Sequence, residues 1–283
     1  MKRLCLDMGT HKFAAIEVND NGNIVKYAMD KHRFSLLKDG QVENVPLAAK
    51  ELRDFLTKNG LDMTLPVVTA VAGKSMIVKT VEGRKRITSD FVSQEDVDDL
   101  LAEITEKASF EGYLLSDFDV VQWTLDDMIV ENPVGRHGHN LKTTLVMQFF
   151  RKDTVLSLIK TLQEAGLRVT SIFSEAVASK EAAVRKELRY FNIALVDVGA
   201  GTSDITIFRE GRVYNFASIP MAGQYITEHV SQQFMVPLET AEKMKIKPGS
   251  RKSVENIVGK KVQIDENLLL TSIQEAASVL AST

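Results

Sequence analysis

The stretch LCLDMGTHKFAAIEV occupies residues 4–18, and ALVDVGAGTSDITIF occupies residues 194–208. In each stretch an apolar run ends in an acid and a glycine, and a second run that predicts a strand follows. Two such runs around a short glycine-containing turn are typical of a β-hairpin. A third predicted strand follows each hairpin, at 23–28 and at 212–217. The sequence therefore predicts the same three-stranded antiparallel meander twice, which indicates an internal duplication.

The composition is that of an ordinary globular protein. The chain has 283 residues, of which 44% are hydrophobic and 26% charged, and its formal net charge is -3. These values exclude a disordered or coiled-coil protein and argue against nucleic-acid binding. The only cysteine, Cys5, excludes an internal disulfide, and no run of 18 apolar residues predicts a transmembrane helix. We expect a cytoplasmic protein.

The sequence between the two copies predicts further helices and strands. Helices are predicted at 47–58, 93–108 and 153–165, and strands at 67–72, 118–125, 127–131 and 141–150. An alanine-rich helix is predicted to follow a short strand through Ser174, and the basic run Gly83–Arg86 is interpreted as a solvated turn. Strands and helices in this order are typical of an α/β half-domain that carries a small inserted α/β module.

The chemistry of the two turns favours a phosphate ligand. Asp7 and Asp197 each end a strand that is predicted to be buried, and glycines follow them. Glycine permits a close approach, and successive backbone N–H groups in such turns bind anions. Because a carboxylate repels phosphate, we expect the two acids to hold water around Mg²⁺. Lys12 would supply a positive charge. The alternative is that each turn only closes a hairpin.

The two turns resemble the phosphate-1 and phosphate-2 motifs of the actin, sugar kinase and Hsp70 ATPase superfamily. Within it, the sequence is most similar to the FtsA family of bacterial cell-division proteins. Four further stretches resemble that family in the same order: ENPVGRHGHNL at 131–141, SEAVASKEAAV at 174–184, IPMAGQYIT at 219–227 and ETAEKMKIKPG at 239–249.

The resemblance implies an α/β protein with the actin-like ATPase fold, built from two RNase H-like half-domains. The first would comprise residues 1–76 plus 167–189, with an FtsA-type (SHS2) module inserted at 77–166. The second would comprise residues 190–283 and be incomplete, because no strand is predicted after its last helix. We expect the chain to be an N-terminal piece of a longer relative; the alternative is a shortened relative with an incomplete nucleotide site.

The resemblance also implies which residues contact ATP and Mg²⁺. Phosphate or magnesium-bound water would be contacted by Asp7, Gly9, Thr10 and Lys12 on one side, and by Asp197, Gly199, Gly201 and Thr202 on the other. Asp7 and Asp197 would hold the metal through water, and Asp197 would belong to the catalytic set.

Three further positions are implied to complete the site. Glu175 occupies the place of the acid that orients the attacking water; otherwise it is an acid favoured by a helix N-terminus. Glu242 and Lys245 match a ribose-contacting pair, or form an ion pair on a helix surface. Gly223, which has no side chain, would let the nucleotide lie close to the protein backbone. The sequence departs from the family in lacking the Gly-Gly adenosine motif.

The function implied by the resemblance is ATP-dependent assembly in bacterial cell division, with at most slow ATP hydrolysis. Implied partners are copies of the chain itself, a tubulin-like division protein, and other division proteins through the inserted module. The implied location is the cytoplasm, at the cytoplasmic face of the inner membrane at the division site, with membrane contact through a segment absent from this sequence. Two alternatives are a chaperone-like reactivating ATPase of the ethanolamine-utilisation or Hsp70 type and a nucleotide-free pilus-assembly-type scaffold.

Overall fold

The structure is a computed structural model. It describes residues 2–32, 36–38, 40–71, 73–249 and 253–283. The chain opens with the strands β1 (Arg3–Met8), β2 (Lys12–Val18) and β3 (Ile24–Lys31). β1 pairs antiparallel with β2, and β2 pairs antiparallel with β3. The predicted first meander is therefore confirmed.

A short hairpin, a helix and a parallel strand follow the first meander. A two-residue hairpin, β4 (Leu37–Lys38) and β5 (Gln41–Val42), precedes helix α1 (Val45–Lys58). The helix begins two residues before the predicted start, because the Asn44 side chain accepts the N–H of Leu47 at 3.0 Å and caps it. Strand β6 (Pro66–Val71) then pairs parallel with β1. The last residue of this predicted strand, at position 72, lies outside the described residues.

The inserted segment forms a sheet of its own with a helix. Its elements are β7 (Met76–Arg86), α2 (Gln94–Ala108), β8 (Tyr113–Leu125), β9 (Met128–Val130) and β10 (Asn140–Arg151). The strand order is β7-β10-β8-β9. The cluster of buried apolar side chains that these elements enclose is separate from that of the first sheet.

The chain then returns to the first sheet. Helix α3 (Lys152–Glu164) leads to strand β11 (Arg168–Ser174), which pairs parallel with β6 and is followed by helix α4 (Glu175–Ala183). The completed five-stranded order is β11-β6-β1-β2-β3. Apolar side chains of α1 and α3 pack on one face of this sheet.

The second meander is also present. Strands β12 (Ile193–Val198), β13 (Ser203–Arg209) and β14 (Arg212–Ile219) form a three-stranded sheet in the order β12-β13-β14. The β13–β14 turn has positive φ angles at Glu210 and Gly211, as a tight hairpin turn requires.

Three helices and a small hairpin complete the described chain. They are α5 (Gly223–Phe234), α6 (Leu238–Ile246), β15 (Ser253–Glu255), β16 (Lys261–Gln263) and α7 (Glu266–Ser282). Buried side chains of α5, α6 and α7 share one small apolar cluster. None of the helices among the described residues is long and apolar enough to span a membrane.

The chain divides into two compact units. Unit 1 comprises Met1–Leu195 and Ile205–Ala217, and unit 2 comprises Val196–Asp204 and Ser218–Thr283. The domain bounds expected from the sequence stay a prediction.

Two interpretations of the sequence are wrong. The basic run at 83–86 is part of β7, where Gly83 lets α2 approach so closely that an added Cβ would collide with Ile104. Charged side chains suit this strand because it is at the edge of its sheet. Strand β12 is not buried, since Val196 and Val198 are 57% and 53% exposed. Among the described residues it pairs only with β13.

Candidate phosphate-binding turns

The first predicted phosphate turn, residues 7–12 and here called turn 1, joins β1 to β2. The N–H of Gly9 donates to the carbonyl of Lys12 at 3.0 Å, which closes the turn. Asp7, Thr10 and Lys12 are exposed. A Cβ added at Gly9 would lie 3.4 Å from the Lys12 carbonyl, an ordinary contact. The glycine is therefore not required by the packing of turn 1.

Positive groups gather beside turn 1. Lys12 is directly opposite Lys31 in the β2–β3 pair. Like charges directly opposite each other destabilise a sheet, and a negatively charged ligand beside them would reduce this repulsion. Lys31 was not identified from the sequence, because the third strand was predicted to end at residue 28 and β3 extends to Lys31.

Glu175 lies at the same edge of the five-stranded sheet as turn 1. Ser174 is in register with Val71, and Leu6 is in register with Thr69, so Glu175 and Gly9 follow parallel strands at the same level. One strand, β6, separates them, which corresponds to roughly 10 Å at ~4.8 Å per strand. Ligands of open α/β sheets bind at this carboxyl edge. Glu175 is half-buried and starts α4.

The second predicted phosphate turn, residues 197–202 and here called turn 2, joins β12 to β13. The N–H of Gly199 donates to the carbonyl of Thr202 at 2.9 Å. Asp197 is exposed, whereas Gly201 and Thr202 are half-buried. Turns 1 and 2 therefore share the same closing hydrogen bond at equivalent glycines, as the duplication predicts.

Helix α5 begins directly against turn 2. The N–H of Gly223 donates to the carbonyl of Gly199 at 3.0 Å, and the N–H of Gln224 donates to the carbonyl of Ala200 at 2.8 Å. A Cβ at Gly223 would lie 3.2 Å from the Gly199 carbonyl, so the glycine permits this close approach. The turn thus satisfies two of the N–H groups that a helix N-terminus leaves unpaired.

Glu242 and Lys245 are joined to the start of α5. The Lys245 ammonium is 2.7 Å from the Glu242 carboxylate and donates to the Gly223 carbonyl at 2.9 Å. Thr227 donates to Glu242 at 2.5 Å and accepts from Lys245 at 2.8 Å. Both charged side chains are 18% exposed. This set is more than the surface ion pair that sequence spacing alone would give.

The site residues predicted from the sequence form two groups. Unit 1 holds Asp7, Gly9, Thr10, Lys12 and Glu175; unit 2 holds Asp197, Gly199, Gly201, Thr202, Gly223, Glu242 and Lys245.

The donor set in each group suits a phosphate with its magnesium ion. Backbone amides and lysines suit the anion, and the exposed carboxylates suit magnesium-bound water. Among the described residues no three His, Cys, Asp or Glu side chains gather to hold a metal directly.

Comparison with known sequences supports the resemblance. A family model for cell division protein FtsA matches residues 194–274. The FtsA proteins of Neisseria meningitidis serogroup B and Escherichia coli K12 are 25% and 24% identical to the chain, over 98% and 95% of it. The FtsA protein of Pseudomonas aeruginosa is 25% identical over 86% of the chain. The chain spans 68%, 64% and 60% of the length of these three relatives, respectively.

Solved structures show the fold. One matched chain comes from the PilM–PilN type IV pilus biogenesis complex. The match covers 100% of the present chain and 75% of the matched chain, with a TM-score of 0.70 and 17% identity. EutJ from Carboxydothermus hydrogenoformans matches 99% of the chain and 69% of its own, with a TM-score of 0.57 and 16% identity. The match to MreB5 of Spiroplasma citri bound to AMPPNP covers 99% of the present chain and 76% of MreB5, with a TM-score of 0.53 and 13% identity. The sequence and structure matches together confirm the predicted resemblance: this chain is similar in sequence to the FtsA cell-division proteins and has the actin-like ATPase fold.

Proposed function

We propose that this chain binds Mg-ATP and acts as a nucleotide-dependent assembly protein in bacterial cell division. The observation that carries the proposal is the repeated turn: Gly9 and Gly199 close equivalent turns with the same hydrogen bond, and each turn begins with an exposed aspartate. The same exposed acid and glycine turn in both copies supports a shared role in binding phosphate and its magnesium ion. Its relatedness to FtsA proteins supports the cell-division role.

Each group of residues has a distinct task in this proposal. Backbone N–H groups of turns 1 and 2, with Lys12, bind phosphate oxygens, and Asp7 and Asp197 hold magnesium-bound water. The metal neutralises charge on the phosphates when it is bound. Gly223 has no side chain and therefore lets the nucleotide approach the backbone at the start of α5. Glu242 and Lys245 contact the ribose. Glu175 orients water for slow hydrolysis.

The nucleotide acts mainly as a switch for assembly. Contacts with the terminal phosphate favour one conformation over another, and a difference of this kind shifts an equilibrium between two states. The proposed partners are copies of this chain and a tubulin-like division protein. Further division proteins would bind the inserted module, β7 to β10.

The two alternative functions have weaker support. The pilus and ethanolamine-utilisation structures are 17% and 16% identical to the chain, and matches at this level show a shared fold alone. The matches to sequences of known function support FtsA instead.

Titration calorimetry of Mg-ATP into the chain tests the proposal. We expect saturable binding, weakened about 10- to 100-fold by Asp7→Asn or Asp197→Asn, as for loss of a charge-assisted contact of ~1.5–3 kcal/mol. Asp127→Asn is the matched control, because Asp127 also occupies a hairpin turn but is on the inserted module. The same four proteins are then centrifuged with and without Mg-ATP, and only those that bind should form pelletable assemblies.

Two outcomes would contradict the proposal. One is a folded chain that binds neither Mg-ATP nor Mg-ADP. The other is binding that all three variants leave unchanged, which would assign the nucleotide to another part of the surface.

A further inference from the structure

His32 lies just beyond β3 and contacts turn 1 through both its backbone and its ring. Its N–H donates to the carbonyl of His11 at 3.1 Å, and its ring Nε2 is 2.7 Å from the carbonyl oxygen of Gly9. The ring also packs edge-on against Phe13, with 4.2 Å between the ring centroids. Two carbonyls of one six-residue turn are therefore fixed by a single residue.

The protonation of the His32 ring follows from its surroundings. A carbonyl oxygen only accepts, so the proton of the neutral ring is on Nε2. Burial lowers the pKa of His32, and the nearby His11 lowers it too, whereas the Gly9 carbonyl and Glu51 of α1 act in the opposite direction. Nδ1 is buried and has no hydrogen-bond partner among the described residues. The ring is thus held as a neutral donor to Gly9.

The Gly9 carbonyl determines where the next N–H points. The peptide between Gly9 and Thr10 is planar and trans, so the Thr10 N–H is directed opposite to the Gly9 carbonyl. By binding that carbonyl, His32 directs the Thr10 N–H to the other side of turn 1. An N–H group fixed before the ligand arrives does not have to be ordered on binding.

Turn 2 has the same arrangement with a different donor. The carbonyl of Gly199, the equivalent of Gly9, accepts the N–H of Gly223 at the start of α5. Among the described residues no helix begins at turn 1: the donor to Gly9 is the side chain of His32, and β2 continues from Lys12. The two copies therefore fix the same carbonyl, one with a helix N-terminus and the other with a histidine.

We propose that His32 is a positioning residue of turn 1, whose Nε2–H holds the Gly9 carbonyl so that the Thr10 N–H faces the phosphate. The inference rests on the proposed nucleotide site. It predicts that a side chain with a donor at the Nε2 position can replace His32 and that one without such a donor cannot.

The test compares His32→Ala with His32→Gln, whose amide nitrogen reaches the position of Nε2. By calorimetry we expect His32→Ala to weaken Mg-ATP binding about tenfold, equivalent to about 1.4 kcal/mol, and His32→Gln to stay within about threefold of the natural chain. Asn59→Ala is the matched control, because it removes half-buried hydrogen bonds to Asp30 and Phe55 in unit 1 and leaves turn 1 intact. Equal binding by His32→Ala and the natural chain would overturn the inference, as would equal losses in the alanine and glutamine variants.

A second measurement keeps the inference testable if the chain does not bind nucleotide. In ¹H–¹⁵N spectra without ligand, the Thr10 amide signal should move in His32→Ala and return in His32→Gln. A Thr10 signal that stays in place in His32→Ala would refute the positioning role. An absence of Mg-ATP binding by the natural chain would refute the proposed function instead.

Discussion

Asp96 shows how a single carboxylate stabilises a helix of the inserted module. It accepts the Ser93 N–H at 3.0 Å and the Ser93 hydroxyl at 2.7 Å, and it is 3.1 Å from the Lys85 ammonium. The contacts with Ser93, and then with Lys85, lower its pKa from 3.8 to about 2. The ionised form is therefore the one that the fold stabilises.

We expect Asp96→Asn to lower the free energy of unfolding at neutral pH by about 0.5–1 kcal/mol, the usual contribution of a helix cap. Because the pKa is lowered on folding, this contribution is complete above pH 3.8 and disappears as the pH falls through about 2. Denaturant unfolding at several pH values measures it. The control Glu95→Gln removes an acid from the same helical turn that makes no capping bond. A stability difference that does not change down to pH 2 would contradict this explanation.

At the residue level, the groups that could be predicted from the sequence are those that act locally. Asp7 and Gly9 were found because an acid and a glycine end an apolar run, and the same pattern recurs at Asp197 and Gly199. His32 was missed because its partner, Gly9, is 23 positions away along the chain. No local pattern indicates that a histidine after a third strand returns to the first turn.

At the level of elements, α6 is attached to α5 by a polar network. Lys245 reaches the carbonyl of Gly223 and the hydroxyl of Thr227, and Glu242 accepts from Thr227. Because these groups are largely shielded from water, their interaction is stronger than that of an exposed pair. The network fixes the helix start that donates to turn 2.

A double-mutant cycle measures this attachment. With Glu242→Gln, Lys245→Met and the double variant, we expect a coupling of about 1 kcal/mol in the free energy of unfolding. The reference pair is Glu239 and Lys243 on the same helix, which is 80% and 50% exposed and should give about 0.3 kcal/mol. Equal couplings for the two pairs would mean that the network adds nothing beyond a surface ion pair.

The two elements that were predicted wrongly both depend on tertiary contacts, which the local sequence does not specify. Arg84 and Lys85 indicated a turn, yet they belong to an edge strand, where charged side chains protect the unpaired edge. The apolar run of β12 indicated burial, yet Val196 and Val198 are exposed because burial depends on what packs against a strand. The β1–β2 and β12–β13 hairpin turns are determined by neighbouring residues, and both were predicted correctly.

At the scale of the molecule, the two units differ in the size of their apolar cores. Among the described residues, the cluster around the five-stranded sheet contains 24 buried apolar side chains, and the cluster of α5 to α7 contains six. A segment with few buried apolar contacts opens at lower free energy than one with many. Ligand-dependent stability should therefore be easiest to detect in unit 2.

Hydrogen exchange followed by mass spectrometry tests this difference. Without nucleotide, amides of α5 should exchange faster than those of β1 and β6. Mg-ATP is then added at about 100 times its dissociation constant. Because the ligand binds only when this region is folded, the α5 amides should gain protection of about 2.7 kcal/mol, or roughly 100-fold in exchange rate. In Asp197→Asn the gain at the same concentration should be smaller. If Mg-ATP protects β1 alone and leaves α5 unchanged, turn 2 does not bind the nucleotide, and the duplicated turn has a structural purpose only.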